Sequence, residues 1–153
     1  MAVAKTLVLG VGNLLLSDDG VGVHTIQRLK ESGRLPEEVQ VEDGGTCGLD
    51  LLQFLEGVDH LVVVDAAHFG KEPGAILRME NEQVPAYLAL KTSPHEIGLP
   101  ELMLTAQLTG IYPKRVVVFG VQPQSLETGI GLTPPVAAVV DRLMDAVVQE
   151  VSG

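Results

Sequence analysis

Tryptophan is absent from this 153-residue chain, and tyrosine and phenylalanine together make up only 3% of it. Its core must therefore be aliphatic, and at 46% hydrophobic residues Val, Leu, Ile and Ala are numerous enough to build one. Basic residues are also scarce: 10 Lys and Arg stand against 20 Asp and Glu, a formal net charge of −10. Nucleic-acid binding needs a cationic surface to displace counterions from phosphates, and no basic run supplies it. Acidity of this degree suits solubility, and it tolerates cations and basic peptide segments. Cys47 is the only cysteine, so no intramolecular disulfide can form, in keeping with a reducing compartment. No apolar stretch reaches membrane-spanning length. The apolar run after Lys5 is interrupted by Gly10, Gly12 and Asn13, and no small-residue cleavage site precedes Asp18-Asp19, so a signal peptide is not expected. The expectation is a cytoplasmic, soluble, single domain over residues 1–153, large enough to need no staple. With no long apolar surface helix left over, a monomer is expected.

What is present is an alternation of apolar runs and Gly/Pro turns. Residues 4–10 read as a strand. A helix follows, capped by Ser17 or Asp18, with Val21, Val23, Ile26 and Leu29 as its stripe and Gly33 as its stop. Val39–Val41 reads as a second strand. Asp43-Gly44-Gly45-Thr46 reads as a turn whose Thr46 caps a short helix through Leu49, Leu51, Leu52 and Leu55. Leu61–Val64 is apolar on both faces, which belongs in the middle of a covered sheet, and it ends at Asp65. The link from Asp65 to the next strand, Ala75–Glu80, is too short for a parallel crossover. That strand is expected to be antiparallel or at an edge. Residues 81–97 read as loop, 99–109 as a helix closed by Gly110, and Arg115–Val121 as another buried strand. After a Gly/Pro-rich loop over 122–132, Thr133 caps a final helix with Pro134 in its first position. The order β-α-β-α-β-β-α-β-α predicts a three-layer α/β/α sandwich around a mixed, mostly parallel five-stranded sheet with one antiparallel strand.

Gly10-Val11-Gly12 invites a dinucleotide-binding reading. That fingerprint requires a third glycine three residues later, where this chain has Leu15, and a helix terminus left free for a pyrophosphate. Asp18 and Asp19 at the helix start would repel one. Those two acids need no function, since a helix dipole favours them there. Asp65 differs: it ends an apolar run, where a charge is costly unless paired or used. If the first strand lies between the second and third, a crevice opens at the carboxyl ends of strands one and three, with Asp19 and Asp65 facing it. Among the histidines, His24 belongs to the first helix and His60 to the opposite end of the sheet. His68 and His95 can each reach the crevice, and spacing does not choose between them. Cys47 reads as a small buried residue, and there is no Gly-x-Ser-x-Gly nucleophile turn.

Several motifs fall in one order: Gly10-Val-Gly-Asn-Leu-Leu-Leu-Ser-Asp-Asp-Gly-Val-Gly22, Asp43-Gly-Gly-Thr46, Val64-Asp-Ala66, Ser93-Pro-His95, Gly120-Val-Gln-Pro123 with Leu126-Glu127, and Gly129-Ile-Gly-Leu-Thr133. Together they resemble the NiFe-hydrogenase maturation endopeptidases, from about residue 6 to the last helix. The resemblance implies an enzyme that removes the C-terminal extension of the hydrogenase large-subunit precursor after nickel insertion. It implies Asp19, Asp65 and His95 as the metal-contacting and catalytic residues, with His68 matching no family ligand. Some members carry Glu where this chain has Asp19. It also implies the mixed five-stranded α/β/α fold. Two carboxylates and an imidazole suit nickel, here brought by the precursor, and other divalent metals. The metal can help activate water on the scissile bond, or serve only as a docking point while one acid acts as general base. Two other functions compete: a non-cleaving, nickel-dependent chaperone of the precursor, and a nucleotide-binding α/β domain.

Overall fold

The computed structural model describes residues 5–45, 51–85 and 99–152. Five strands form one sheet: β1 (Thr6–Val11), β2 (Gln40–Gly45), β3 (His60–Ala66), β4 (Ile76–Glu80) and β5 (Arg115–Val121). Their spatial order is β2-β1-β3-β5-β4. β1 pairs in parallel with both β2 and β3, and β3 pairs in parallel with β5. β4 runs antiparallel to β5 at the edge, as its short link to β3 requires.

Alternation along the strands divides the core in two. Leu7, Leu9, Leu61 and Val63 face α2 (Leu52–Leu55) and α3 (Leu99–Thr109), which contribute Leu55, Leu102 and Met103. Val8, Val62, Val64 and Val117 face α1 (Val21–Ser32) and the C-terminal helix, which contribute Ile26, Leu29, Leu143 and Val147. Side chains in a strand point alternately to opposite faces, so the β3 run Leu61–Val64 supplies both layers at once. This is the α/β/α sandwich expected from the element order. No helix among the described residues is long and apolar enough to cross a membrane.

Three local expectations are corrected. Asp43, Gly44 and Gly45 are not a turn: they extend β2, and Asp43 and Gly45 pair with Gly10 and Val11 across a register shift. A Cβ on Gly44 would lie 3.0 Å from the Gly10 carbonyl, so the bare glycine lets β2 run on against β1. The last helix is two segments, α4 (Pro134–Ala137) and α5 (Val140–Ser152). At the break the Val139 N–H bonds to Val136 O, one residue short of the helical spacing, and an apolar stripe continuing through both segments conceals this in the sequence. Asn81–Gln83, expected as loop, is a 3-10 turn with a capping box between Glu80 and Gln83. Thr46 and Cys47 lie outside the described residues.

His60 sits at the start of β3, paired with Thr6 and Arg115 and away from the carboxyl ends. Nearby, the buried Glu150 carboxylate takes Arg78 at 2.7 Å and Arg115 at 3.1 Å, and lies 3.5 Å from His60 Nε2. Burial pushes the His60 imidazole below its usual 6.5, an effect that Glu150 opposes and Arg115 and Arg78 reinforce. Between the folded and unfolded values the unfolded chain binds more protons at this position, so stability falls as pH drops through that window. We expect the urea midpoint to decrease on acidification below about pH 6.5, and His60→Gln to flatten that part of the curve. An unchanged slope in His60→Gln would show that other groups carry it.

Candidate active site

β1 stops at Gly10-Val11-Gly12, and the chain turns through Gly12 at φ 132°. It then passes Asn13–Leu16 and a 3-10 turn at Ser17–Gly20 before entering α1. A Cβ on Gly22 would collide with the Val64 carbonyl and lie 2.6 Å from the Val11 carbonyl. The first turn of α1 therefore rests on the backbones of β1 and β3 where the strand order reverses. Close helix–strand packing is the task of the third glycine in a dinucleotide fingerprint. Here Gly22 performs it, after an inserted turn that carries two acids. A Cβ on Gly12 would strike the backbone carbonyl of Asp19, so the turn itself uses the close approach that a pyrophosphate would need.

Asp19 is half-buried, and its Oδ2 accepts the Asn13 N–H at 2.8 Å. Its own N–H donates to Leu16 O at 3.1 Å. Asp65 is the penultimate residue of β3 and only 1% exposed. It pairs with Gly120, which presents no side chain beside it, and alternation places it on the face of Leu61 and Val63. The two acids picked out in the sequence thus stand at the carboxyl ends of neighbouring strands, one just beyond β1 and one in β3. Carboxylate oxygens are suitable donors for divalent cations. Among the described residues no group of three His, Cys, Asp or Glu side chains forms a metal cluster. His95 lies outside the described residues.

Asp18 overturns an expectation. Neither the 3-10 turn nor α1 has a side-chain cap, and Asp18 points instead into the loop over 122–133. Its Oδ1 accepts the Thr133 N–H at 2.8 Å. Its Oδ2 accepts the N–H groups of Gln124 at 2.8 Å and Ser125 at 3.1 Å, and the Thr133 hydroxyl at 2.7 Å. Burial alone would raise this carboxyl's pKa, but the bonds from Thr133, Gln124 and Ser125 outweigh it and hold the group below 3.8. Thr133 keeps the N-cap position of α4, yet its hydroxyl serves Asp18 and not the helix. The available sequence signal was a second acid beside Asp19. A helix dipole accounts for such a pair equally well, and the true partners lie more than a hundred residues away.

Further bonds join the same two segments. Ser17, at φ 50°, donates its hydroxyl to Glu127 O at 2.7 Å and its N–H to Gly129 O at 2.9 Å. The Gly129 N–H returns a bond to Leu15 O at 2.8 Å. These joined segments carry three exposed large apolar side chains: Leu15 at 59%, Leu126 at 39% and Ile130 at 86% exposure. Gln122, just past β5, is a buried structural anchor. Its Oε1 accepts the Phe69 N–H at 2.8 Å, which leaves its amide to donate to His68 Nδ1 at 3.2 Å. His68, an open candidate on spacing alone, is an exposed residue anchored to the end of β5.

Comparison with known proteins points one way. A family model described as hydrogenase maturation protease matches residues 23–150. The chain is 41% identical over 144 residues to the hydrogenase 2 maturation protease of Escherichia coli K12, covering 94% of this chain and 88% of that protein. It is 43% identical over 148 residues to the hydrogenase expression/formation protein HupD of Rhodobacter capsulatus, covering 95% and 70% of the two chains. The solved structure of the hydrogenase maturating endopeptidase HybD from Escherichia coli superposes with a TM-score of 0.85 at 39% identity, covering 94% and 89%.

Proposed function

The chain belongs to the hydrogenase maturation protease family, and on that footing we propose that it is an endopeptidase acting on the NiFe-hydrogenase large-subunit precursor. It removes the precursor's C-terminal extension after nickel insertion, and it recognises the nickel that the precursor carries. The observation that carries this reading is the pair of acids, Asp19 and Asp65, at the switch point of a sheet shared with relatives named as maturation proteases.

Asp19, Asp65 and His95 are the proposed contacts to the nickel of the substrate, and the oxygen and nitrogen donors they offer suit that ion. Bound there, a divalent metal supplies Lewis-acid polarisation of the scissile carbonyl or a nearby water. The protein's own groups do the rest. Asn13 holds Asp19 through Oδ2, which leaves Oδ1 to take the metal or a proton. In the general-base form of the mechanism, a carboxylate oxygen of Asp19 or Asp65 accepts the proton of the attacking water. It then returns that proton to the nitrogen of the departing tail, so the carboxylate ends as it began. Asp65 is buried at the end of β3 beside the bare backbone of Gly120, which leaves space beside it for either task. The exposed apolar side chains of Leu15, Leu126 and Ile130, carried on the two joined segments, suit a polypeptide substrate. On this proposal the enzyme works as a monomer in the cytoplasm.

A processing assay tests the proposal. Purified protein is incubated with nickel-loaded and nickel-free precursor, and the large subunit is weighed by mass spectrometry. The expected result is loss of the C-terminal segment from the loaded precursor alone. Stable binding of loaded precursor that keeps its full length, with folded enzyme present, would favour the chaperone function instead.

A further inference from the structure

We propose that Asp18 is a positioning residue: through its bonds to the loop over 122–133 it fixes the turn that carries Asp19, and so sets where the Asp19 carboxylate meets the substrate. This rests on the reading that Asp19 contacts substrate.

Both oxygens of the buried Asp18 carboxylate are committed to that loop, through the N–H groups of Gln124, Ser125 and Thr133 and the Thr133 hydroxyl. The Asp18 N–H also donates to Ser125 O at 3.1 Å, so main chain and side chain of the same residue are tied to one loop. Just before Asp18 in the chain, the Ser17–Gly129 and Gly129–Leu15 bonds hold the segments in register, with a parallel bridge between Leu16 and Gly129. Asp19 is the next residue. It is positioned by its own N–H on Leu16 O and by Asn13 on its Oδ2, and both partners belong to the clamped segment. Any slack between the turn and the loop therefore passes directly into the Asp19 side chain. Displacements of about 1 Å in a catalytic group reduce rates by about a hundredfold.

The arrangement depends on an acceptor-only group. An asparagine fits the space, but its NH2 must face a donor in either orientation: the Thr133 N–H on one side, or the three donors at Oδ2 on the other. Thr133→Val removes only the hydroxyl bond and is the milder variant. Thr133→Ser keeps the hydroxyl.

The test uses the full chain, nickel-loaded precursor, and a temperature at which every variant is folded by circular dichroism. A control, Val147→Ala, loses core packing in α5 one turn before Glu150, toward the amino ends of the strands, and removes none of the hydrogen bonds between the turn and the loop. Asp18→Asn is expected to lower kcat about tenfold or more, Thr133→Val to lower it less, and Thr133→Ser and Val147→Ala to stay near the unsubstituted protein. Exchange of the Asn13 amide, whose acceptor is Asp19 Oδ2, is read separately in the free enzyme. It is expected to speed up about tenfold more in Asp18→Asn than the Val62 amide in the middle of β3, which reads any loss of global stability. If Asp18→Asn keeps full kcat, or loses no more than Val147→Ala, Asp18 does not position Asp19. If the unsubstituted protein cleaves no precursor, the proposed function fails, and the Asn13 amide alone decides: a larger speed-up than at Val62 retains the positioning role, and one no larger removes it.

Discussion

Asp65→Asn is expected to reduce processing of the loaded precursor by about a thousandfold, on the scale of removing a principal electrostatic group from an active site. The substitution keeps shape and volume. In the proposed mechanism it removes the charge offered to a dication and the basic oxygen offered to a proton, and the amide replaces neither. Stability should change far less. Asp65 is 1% exposed at the end of a central strand, where an ionised carboxylate is costly to bury, so a neutral isostere offsets part of whatever bonding it loses. The same assay on His95→Ala should show a comparable loss. The check is the mass of the large subunit over time beside the melting temperature of each variant. Full processing by folded Asp65→Asn would remove this residue from the site.

Gly22→Ala is expected to destabilise the protein by about 3 kcal/mol or more, at the upper end for inserting one methyl into a packed interior. The added carbon would meet backbone on both sides, the carbonyls of Val64 and Val11, and neither can rotate away like a side chain. The first turn of α1 would have to lift from the sheet. A Cβ on Gly10 would likewise collide with the Gly22 carbonyl, so α1 and β1 are in close contact there as well. Val64 precedes Asp65, and the turn that enters α1 carries Asp19, so the damage should reach the site. Urea denaturation gives the stability loss, and processing by the fraction still folded gives the loss at the site. Gly33→Ala is a contrast: Gly33 has nothing within 4 Å of its Cβ position, so its φ of 67° is the main obstacle and the loss should be nearer 1 kcal/mol. Equal losses at the two positions would mean that close packing at the switch point does not limit stability.

Much of the architecture was legible because it depends on local patterns. The run Leu61–Val64 announced a strand buried on both faces. The short link before Ala75–Glu80 left no room for a crossover, and β4 is indeed antiparallel at the edge. Asp65 stood out because a charge closing an apolar run needs a reason. Asp19 was harder, since a helix dipole explains an acid there without any site, and the family resemblance chose it over Asp18. The split between α4 and α5 was hidden because a continuous apolar stripe suits one bent helix or two.

The sequence alone determined the order and type of the main elements, the aliphatic two-sided core and the strand ends at which acids would stand. Each follows from side-chain periodicity, link length or the cost of burying charge, all of which act over a few residues. Tertiary structure alone decided that β2 continues through Asp43–Gly45, that Gly22 seats α1 on two strands, and that Asp18 turns from the helix to hold Gln124, Ser125 and Thr133. These depend on backbone groups from distant parts of the chain meeting at one point. A backbone N–H or carbonyl carries no residue identity, so no pattern of residue types announces where it will be used.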